Sequence, residues 1–253
     1  MKKIYKVKDP INDDFAETGI KHKPLPNDYV YFKRGIFRRT GAFLLYYFIA
    51  LPFVFLYTKI KYHEKIVGRK KLKPYRKGGY FIYGNHTRLS GDGFTPAVIN
   101  FPKKSYIIAN SDCVAIPGVK RIVEDLGAIP LPDDFKGIKN FREAIKEHVR
   151  QGHAVVIYPE AHIWPYYTDI RPFSDVSFRY PAENNKPVFC FTVTYRKRKL
   201  VKTPKTVVYI DGPFFAEGEG VKERQRSLRN QVYESLVKNA KTSDYKYVEY
   251  VFE

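Results

Sequence analysis

Tyr80-Phe81-Ile82-Tyr83 is an unbroken apolar run that stops at Gly84, and Asn85-His86 follow it directly. A run this short, ended by glycine, predicts a strand buried on both faces, as in a parallel sheet. His86 then falls just past the strand's C-terminal end, where open α/β sheets place their ligands. Asp92 lies six residues further on. On a helix, residues six apart point about 240° apart, so this pair can meet only on an irregular loop. Gly91 and Gly93 flank Asp92 and supply the positive φ that a tight loop uses. Thr95-Pro96 reads as an N-cap followed by proline at the first helical position, so a helix is expected to start after Asp92. An imidazole beside a carboxylate is a proton-abstracting pair: the ring takes the proton, and the carboxylate fixes its tautomer and stabilises the imidazolium. Taken alone, a surface histidine and a turn aspartate account for the same residues.

A second segment adds weight to the first. Ala154–Ile157 is another apolar, β-prone run, and Tyr158-Pro159-Glu160-Ala161-His162 follows. A strand that ends in Pro-Glu has left its ladder. Two strand-end loops, one with His86 and Asp92 and the other with Glu160, suggest a shared site at one sheet edge. Further strands are expected at Ser105–Ala109, Ala128–Leu131, Val188–Tyr195 and Thr206–Ile210. Helices are expected from Pro96, over Val119–Leu126, over Ile138–Gln151 and over Val221–Asn239. In the third of these, Ile138, Phe141, Ile145 and Val149 recur at helical spacing and Gly152 stops the run. Strands alternating with helices define the fold class as α/β, an αβ sandwich with a mostly parallel sheet.

This pairing of loops resembles the membrane-bound glycerolipid acyltransferases, the 1-acylglycerol-3-phosphate (lysophosphatidic acid) acyltransferase family. The family's first motif is a strand, Asn-His, four residues and Asp; here five residues, Thr87 to Gly91, precede Asp92. Its third motif, Phe-Pro-Glu-Gly-Thr-Arg, is similar to Tyr158-Pro159-Glu160-Ala161-His162-Ile163. Pro172-Phe173, Ser177-Phe178 and Lys186-Pro187-Val188 resemble its later stretches, so order and spacing hold from Tyr80 to Thr194. The resemblance implies a glycerolipid-acyltransferase-like fold, with His86 as general base, Asp92 orienting it, and Asn85 and Glu160 on the substrate. It implies direct attack on a thioester without an acyl-enzyme, an oxyanion held by backbone N–H groups, and no metal or redox cofactor. Acyl-CoA or acyl-ACP would be the co-substrate.

The chain departs from the family where the acceptor's phosphate is read. The second motif, Gly-x-x-Phe-Ile-x-Arg, falls on Gly127-Ala128-Ile129-Pro130-Leu131-Pro132-Asp133, so Asp133 replaces its arginine. Ile163 replaces the arginine of the third motif. Isoleucine cannot imitate a bidentate guanidinium, and an aspartate repels phosphate. Arg88 and Arg171 are the candidate substitutes, with His162 a further candidate for an acceptor hydroxyl.

The chain carries 45 Lys and Arg against 26 Asp and Glu, a net charge of +19. That surplus suits anionic partners: phospholipid headgroups, the phosphates of coenzyme A, or nucleic acid. Cys113 and Cys190 have no metal-ligand spacing and read as reduced, buried thiols. Met1–Phe32 is polar with scattered prolines and reads as an extended arm; Lys33 to Arg39 is basic. Gly41–Tyr57 then carries no charge and sits at the lower edge of the length needed to span a bilayer. Pro52 interrupts it and is expected to kink it. The reading is a bent or re-entrant apolar segment inserted from the cytoplasmic face of the membrane, with a single span and a buried core helix as the other readings. Residues 1–70 would form the arm and membrane-associated segment, and 71–253 the catalytic domain. Removing Met1–Tyr57 is then expected to expose no large core surface. The Arg196–Lys199 run faces either headgroups, CoA phosphates or water.

These readings converge on an acyltransferase at the cytoplasmic membrane surface, moving a fatty acyl group from acyl-CoA or acyl-ACP to a lysolipid hydroxyl, with anionic phospholipids as surroundings and no nucleic acid partner. A non-catalytic membrane-surface member of the same fold is the alternative suggested by the altered motifs. A basic nucleic-acid-binding protein is suggested by charge alone, and such a protein has no use for Gly41–Tyr57.

Overall fold

The apolar run from Tyr80 lies at the centre of a seven-stranded sheet. The structure, a computed structural model, describes residues 3–16, 22–32, 35–115 and 118–253; Lys33 and Arg34 of the expected basic flank lie outside these. In chain order the strands are β1 (Ile4–Val7), β2 (Lys65–Val67), β3 (Tyr80–Gly84), β4 (Ser105–Ala109), β5 (Ala128–Pro130), β6 (Ala154–Ile157), β7 (Val188–Arg196), β8 (Lys205–Phe214) and β9 (Glu249–Phe252). The helices are α1 (Ile36–Leu44), α2 (Leu51–Lys61), α3 (Thr95–Asn100), α4 (Lys120–Leu126), α5 (Phe135–Arg150), α6 (Arg179–Asn184) and α7 (Val221–Ala240). The main sheet runs β2-β8-β7-β3-β6-β4-β5, and all neighbours are parallel except β7 and β8. The expected α/β class with a mostly parallel sheet is therefore the one found, and each strand and helix read from the sequence is present.

β3 is buried on both faces because helices cover both. Phe81 and Tyr83 point into one core with Phe141, Ile145 and Val149 of α5 and Leu228, Val232 and Leu236 of α7. Tyr80 and Ile82 point into the other, with Ile99 of α3 and with Phe189, Phe191 and Val193 of β7. α5 starts at Phe135, earlier than its apolar spacing indicated, because the Asp134 carboxylate caps it, accepting from the Lys136 and Gly137 N–H groups at 2.9 and 3.1 Å. Thr95 is not the N-cap expected. It is the first residue of α3, Phe94 precedes it as the cap without a side-chain bond, and the threonine hydroxyl is used in a buried ion cluster described below. Cys190 is buried and Cys113 only half-buried; both thiols are free, and burial pushes them up to about 12 and about 11.

The N-terminal segment is bound to the domain rather than a separate arm. β1 pairs in parallel with β9, and Phe15 packs edge-on to Trp164 at 5.3 Å. The Asp13 carbonyl accepts from Trp164 Nε1 at 2.8 Å. Ile36–Lys61 is one continuous helical run in which a π-helical segment, Leu45–Ala50, joins α1 to α2. There the Leu51 N–H reaches back to the Tyr46 carbonyl. The wider turn lies directly before Pro52, whose missing N–H would break an ordinary α-helical ladder. Ala42, Tyr46, Leu51, Val54 and Thr58 of this run are buried against the domain. The opposite face, with Phe37 91% exposed and Leu44, Phe48, Phe53, Leu56 and Ile60 also exposed, is apolar. Only 22% of its most apolar window is buried, which is not the pattern of a core helix. Removing Met1–Tyr57 would thus uncover Trp164 and the wall beneath α1 and α2, contrary to the expectation from sequence.

At the far end of the sheet, His148 of α5 packs on Tyr106 with ring centroids 3.9 Å apart, and its Nδ1 lies 3.4 Å from Nδ1 of His153. Burial, then the neighbouring His153 and Lys104, lower the His148 pKa to about 3, below its ordinary value near 6.5. Between those limits the unfolded chain binds a proton that the folded chain does not, so this stability is present above pH 6.5 and is lost as the pH falls. One such group changes stability by about 1.4 kcal/mol per pH unit. Urea unfolding of His148→Leu is expected to show a pH dependence between pH 6 and 5 shallower than wild type by about that amount; identical slopes would exclude His148 as the source.

Candidate active site

β3 and β6 are in-register parallel neighbours, so the loops that follow them leave the sheet side by side. Gly84 closes β3 where any Cβ would overlap the Phe191 ring of β7. Asn85 then turns the chain. Its Nδ2 donates to the Val193 carbonyl at 3.1 Å and its Oδ1 accepts from the Val193 N–H at 2.8 Å. Both amide atoms bond to the backbone of β7, so the buried Asn85 anchors the loop. Thr87 is pinned in the same way, its hydroxyl 2.7 Å from that of Tyr195.

The loop brings His86 and Asp92 together despite the extra residue: His86 Nδ1 lies 2.8 Å from Asp92 Oδ2. The carboxylate is 2% exposed and the imidazole 17%. With Nδ1–H donated to the carboxylate, Nε2 carries the lone pair and is the nitrogen left to take a proton. The ring lies flat on Tyr158, centroids 4.4 Å apart and planes 19° apart. The Tyr158 hydroxyl in turn donates to the Asp92 carbonyl at 2.5 Å. Gly91 is required for a reason other than the expected positive φ, which neither it nor Gly93 adopts. A Cβ on Gly91 would sit 2.7–2.9 Å from Nε, Cδ and Cζ of Arg88, which packs across it.

Arg88 is correspondingly not available to an acceptor. It is buried, its Nε 3.3 Å from Asp92 Oδ1 and its Nη1 2.7 Å from Glu64 Oε2, while Nη2 donates to the Thr95 hydroxyl. Its main-chain N–H also donates to Asp92 Oδ2 at 2.9 Å. Burial by itself would lower the guanidinium's pKa, but Glu64 and Asp92 more than offset it and the net direction is upward. Arg88 thus holds Asp92 from behind while His86 meets it from the front.

Glu160 also differs from the expectation. It is buried, and its two oxygens accept from the main-chain N–H groups of His86 and Arg171, each at 3.1 Å. Burial raises its pKa, and Arg171 with these N–H groups pulls it back. It joins the third-motif loop to the backbone of His86, with both carboxylate oxygens turned to main-chain N–H groups. Arg171 is buried too. It donates to the carbonyls of Glu160, at 3.1 Å, and His162, pairs with Glu160 at 3.6 Å and lies over the Trp164 ring at 4.9 Å. It holds the loop's shape through Nη2, while its Nε and Nη1 are buried without a hydrogen-bond partner among the described residues. His162 is the least buried member of the set, with Nδ1 3.4 Å from Asp14 of the N-terminal segment. Asp133, at the place of the second-motif arginine, receives the Leu25 N–H, the Ser111 hydroxyl and His22 instead.

Sequence reasoning missed Tyr158, Glu64 and Thr95. Tyr158 was within reach, since it directly follows the strand that pairs with β3. Glu64 gave no signal, because its partner Arg88 is 24 residues away along the chain.

A histidine–aspartate pair lies on the C-terminal edge of a mostly parallel sheet, tied to a glutamate loop from the adjacent strand, and it leaves one imidazole nitrogen free to take a proton. The acyltransferase family model matches residues 61–194, more than half of the chain, and the chain belongs to that family. Its fold is similar to that of the 1-acyl-sn-glycerophosphate (LPA) acyltransferase PlsC from Thermotoga maritima, with a TM-score of 0.56, over 83% of this chain and 89% of that one, at 16% identity. No curated protein matches the chain significantly.

Proposed function

We propose that this chain is a membrane-surface O-acyltransferase that moves a fatty acyl group from acyl-CoA or acyl-ACP to a hydroxyl of 1-acylglycerol-3-phosphate or a related glycerolipid. The observation that carries the reading is the 2.8 Å contact of His86 Nδ1 with Asp92, which leaves Nε2 free. Nε2 removes the acceptor's hydroxyl proton as its oxygen attacks the thioester carbonyl. The tetrahedral intermediate then collapses, the C–S bond breaks, and the leaving thiolate takes the proton back from His86. No metal or redox group enters these steps. The exposed apolar face of α1 and α2 supports a position at the membrane surface, with the domain covering the helix's other face.

The acceptor is the part most altered from the family pattern. Arg88 is consumed internally and Arg171 is buried, so recognition of a phosphomonoester lacks the two family guanidinium contacts, each charged hydrogen bond being worth about 1.5–3 kcal/mol. The test is incubation with radiolabelled acyl-CoA, or acyl-ACP, and a panel of lysolipids, with products resolved by mass. Labelled diacyl product is expected, with lysophosphatidic acid no better an acceptor than zwitterionic or uncharged lysolipids. A folded enzyme that acylates none of them from either donor would instead favour the non-catalytic reading.

A further inference from the structure

The catalytic loops occupy the C-terminal end of β3, yet a large cavity opens at the other end of the strands. It encloses about 1620 Å³ between the N-terminal half of the apolar helix and the residues that precede β3, β4 and β6. The five residues of β3 alone separate the two ends by about 17 Å, so this cavity is not part of the acyl-transfer site.

Its lining is strongly basic. Eight Lys and Arg side chains face two glutamates, Glu124 and Glu147. Both acids are already satisfied: Glu124 accepts from Tyr29 and Arg38 at 2.6 and 3.0 Å, and Glu147 accepts from Arg150. Arg39, Arg76 and Lys77 are exposed, and their side chains make no hydrogen bond or ion pair with any described residue. Arg38 Nε is buried and likewise has no acceptor. A buried donor without a partner in so cationic a place is explained by an anion that supplies the acceptor. Phe43 and Tyr47 of the helical run also line the cavity and give it an amphipathic wall.

The location selects the kind of anion. Arg39 and Ala42 of α1 line the cavity, while Phe37 and Leu44 of the same helix are exposed on its apolar outer face. A lipid packed against that outer face would carry its phosphate to the level of the cavity. We propose that this cavity is a headgroup site for an anionic glycerophospholipid, separate from the acceptor site; the proposal rests on the membrane-surface reading of α1 and α2. Occupancy would fix the orientation of the helix on the membrane and so the approach of the catalytic loops to the surface.

Co-sedimentation of the full chain with phosphatidylcholine vesicles, with and without phosphatidylglycerol, tests it. Wild type should prefer the anionic vesicles, and Arg39→Ala/Arg76→Ala should lose that preference by roughly tenfold or more, with binding to neutral vesicles and acyl transfer in detergent unchanged. Lys222→Ala/Arg226→Ala removes equal charge from the exposed face of α7 and should keep the preference. Equal losses in the two double variants would mean diffuse electrostatics and overturn the site. Displacement from anionic vesicles by inorganic phosphate at constant ionic strength would also overturn it, in favour of a free-phosphate site. Phe48→Asp separates this from the underlying reading: it should abolish binding to neutral vesicles, and if it does not, the membrane reading falls and the headgroup site with it.

Discussion

Purified His86→Ala is expected to transfer acyl groups roughly 10²–10⁴-fold more slowly than wild type, the contribution of a positioned general base. The imidazole is the only group on the loop with a nitrogen both held by a buried carboxylate and left with a free lone pair on its other side. Because the side chain is partly exposed and lies on Tyr158 rather than inside the core, its removal should leave the urea midpoint close to that of wild type. Asp92→Asn should be nearly as damaging to the rate, since it withdraws the charge that favours the imidazolium. Unlike His86→Ala it should also destabilise the fold, because Arg88 loses one of its two carboxylates. The measurement is the initial rate with radiolabelled acyl-CoA and the best lysolipid acceptor. His86→Ala at the wild-type rate would remove His86 as the base and with it the mechanism.

The parts of this structure legible in the sequence are those fixed by local pattern. An apolar run ended by glycine is a buried strand wherever it occurs, and β3 and β6 could be read in that way. The impossibility of a six-residue pair meeting on a helix correctly required a loop at His86–Asp92. What could not be read depends on partners distant along the chain. Arg88 in a short motif looks the same whether it faces a phosphate or a buried Glu64, and Arg171 looks the same whether it binds an acceptor or caps the carbonyls of its own loop. Glu160 was correctly singled out as belonging with His86, but its role as an acceptor of two backbone N–H groups is a matter of the direction its side chain takes. β1 gave no signal because Ile4–Val7 has no partner nearer than Glu249–Phe252. Gly91 was noticed for the freedom of its backbone, whereas the structure needs the absence of its side chain.

Glu64→Ala is expected to destabilise the protein by about 3–5 kcal/mol, the usual cost of removing one partner from a buried ion pair. Glu64 Oε2 accepts from both Arg88 Nη1 and Thr95 Oγ1 at 2.7 Å, and the arginine and glutamate side chains are 1% and 3% exposed. Without it the guanidinium remains inside with only Asp92 to balance it, since Tyr62, 4.9 Å beneath, offers a ring face and not a charge. The effect should reach the chemistry as well. A guanidinium with a single remaining carboxylate draws that carboxylate toward itself, and the Asp92 oxygen that His86 uses is on the same group. The turnover number should therefore fall while the Michaelis constants for donor and acceptor stay near wild type, because the change acts on the base and not on binding. Glu64→Gln keeps an oxygen for Arg88 and Thr95 but not the charge, so its losses in stability and turnover should lie between those of wild type and Glu64→Ala. Urea midpoints and steady-state rates measured together decide the matter. A Glu64→Ala protein within about 1 kcal/mol of wild type, the range of an ordinary substitution, would show that Arg88 is neutralised from elsewhere and that Glu64 does not hold the catalytic aspartate in place.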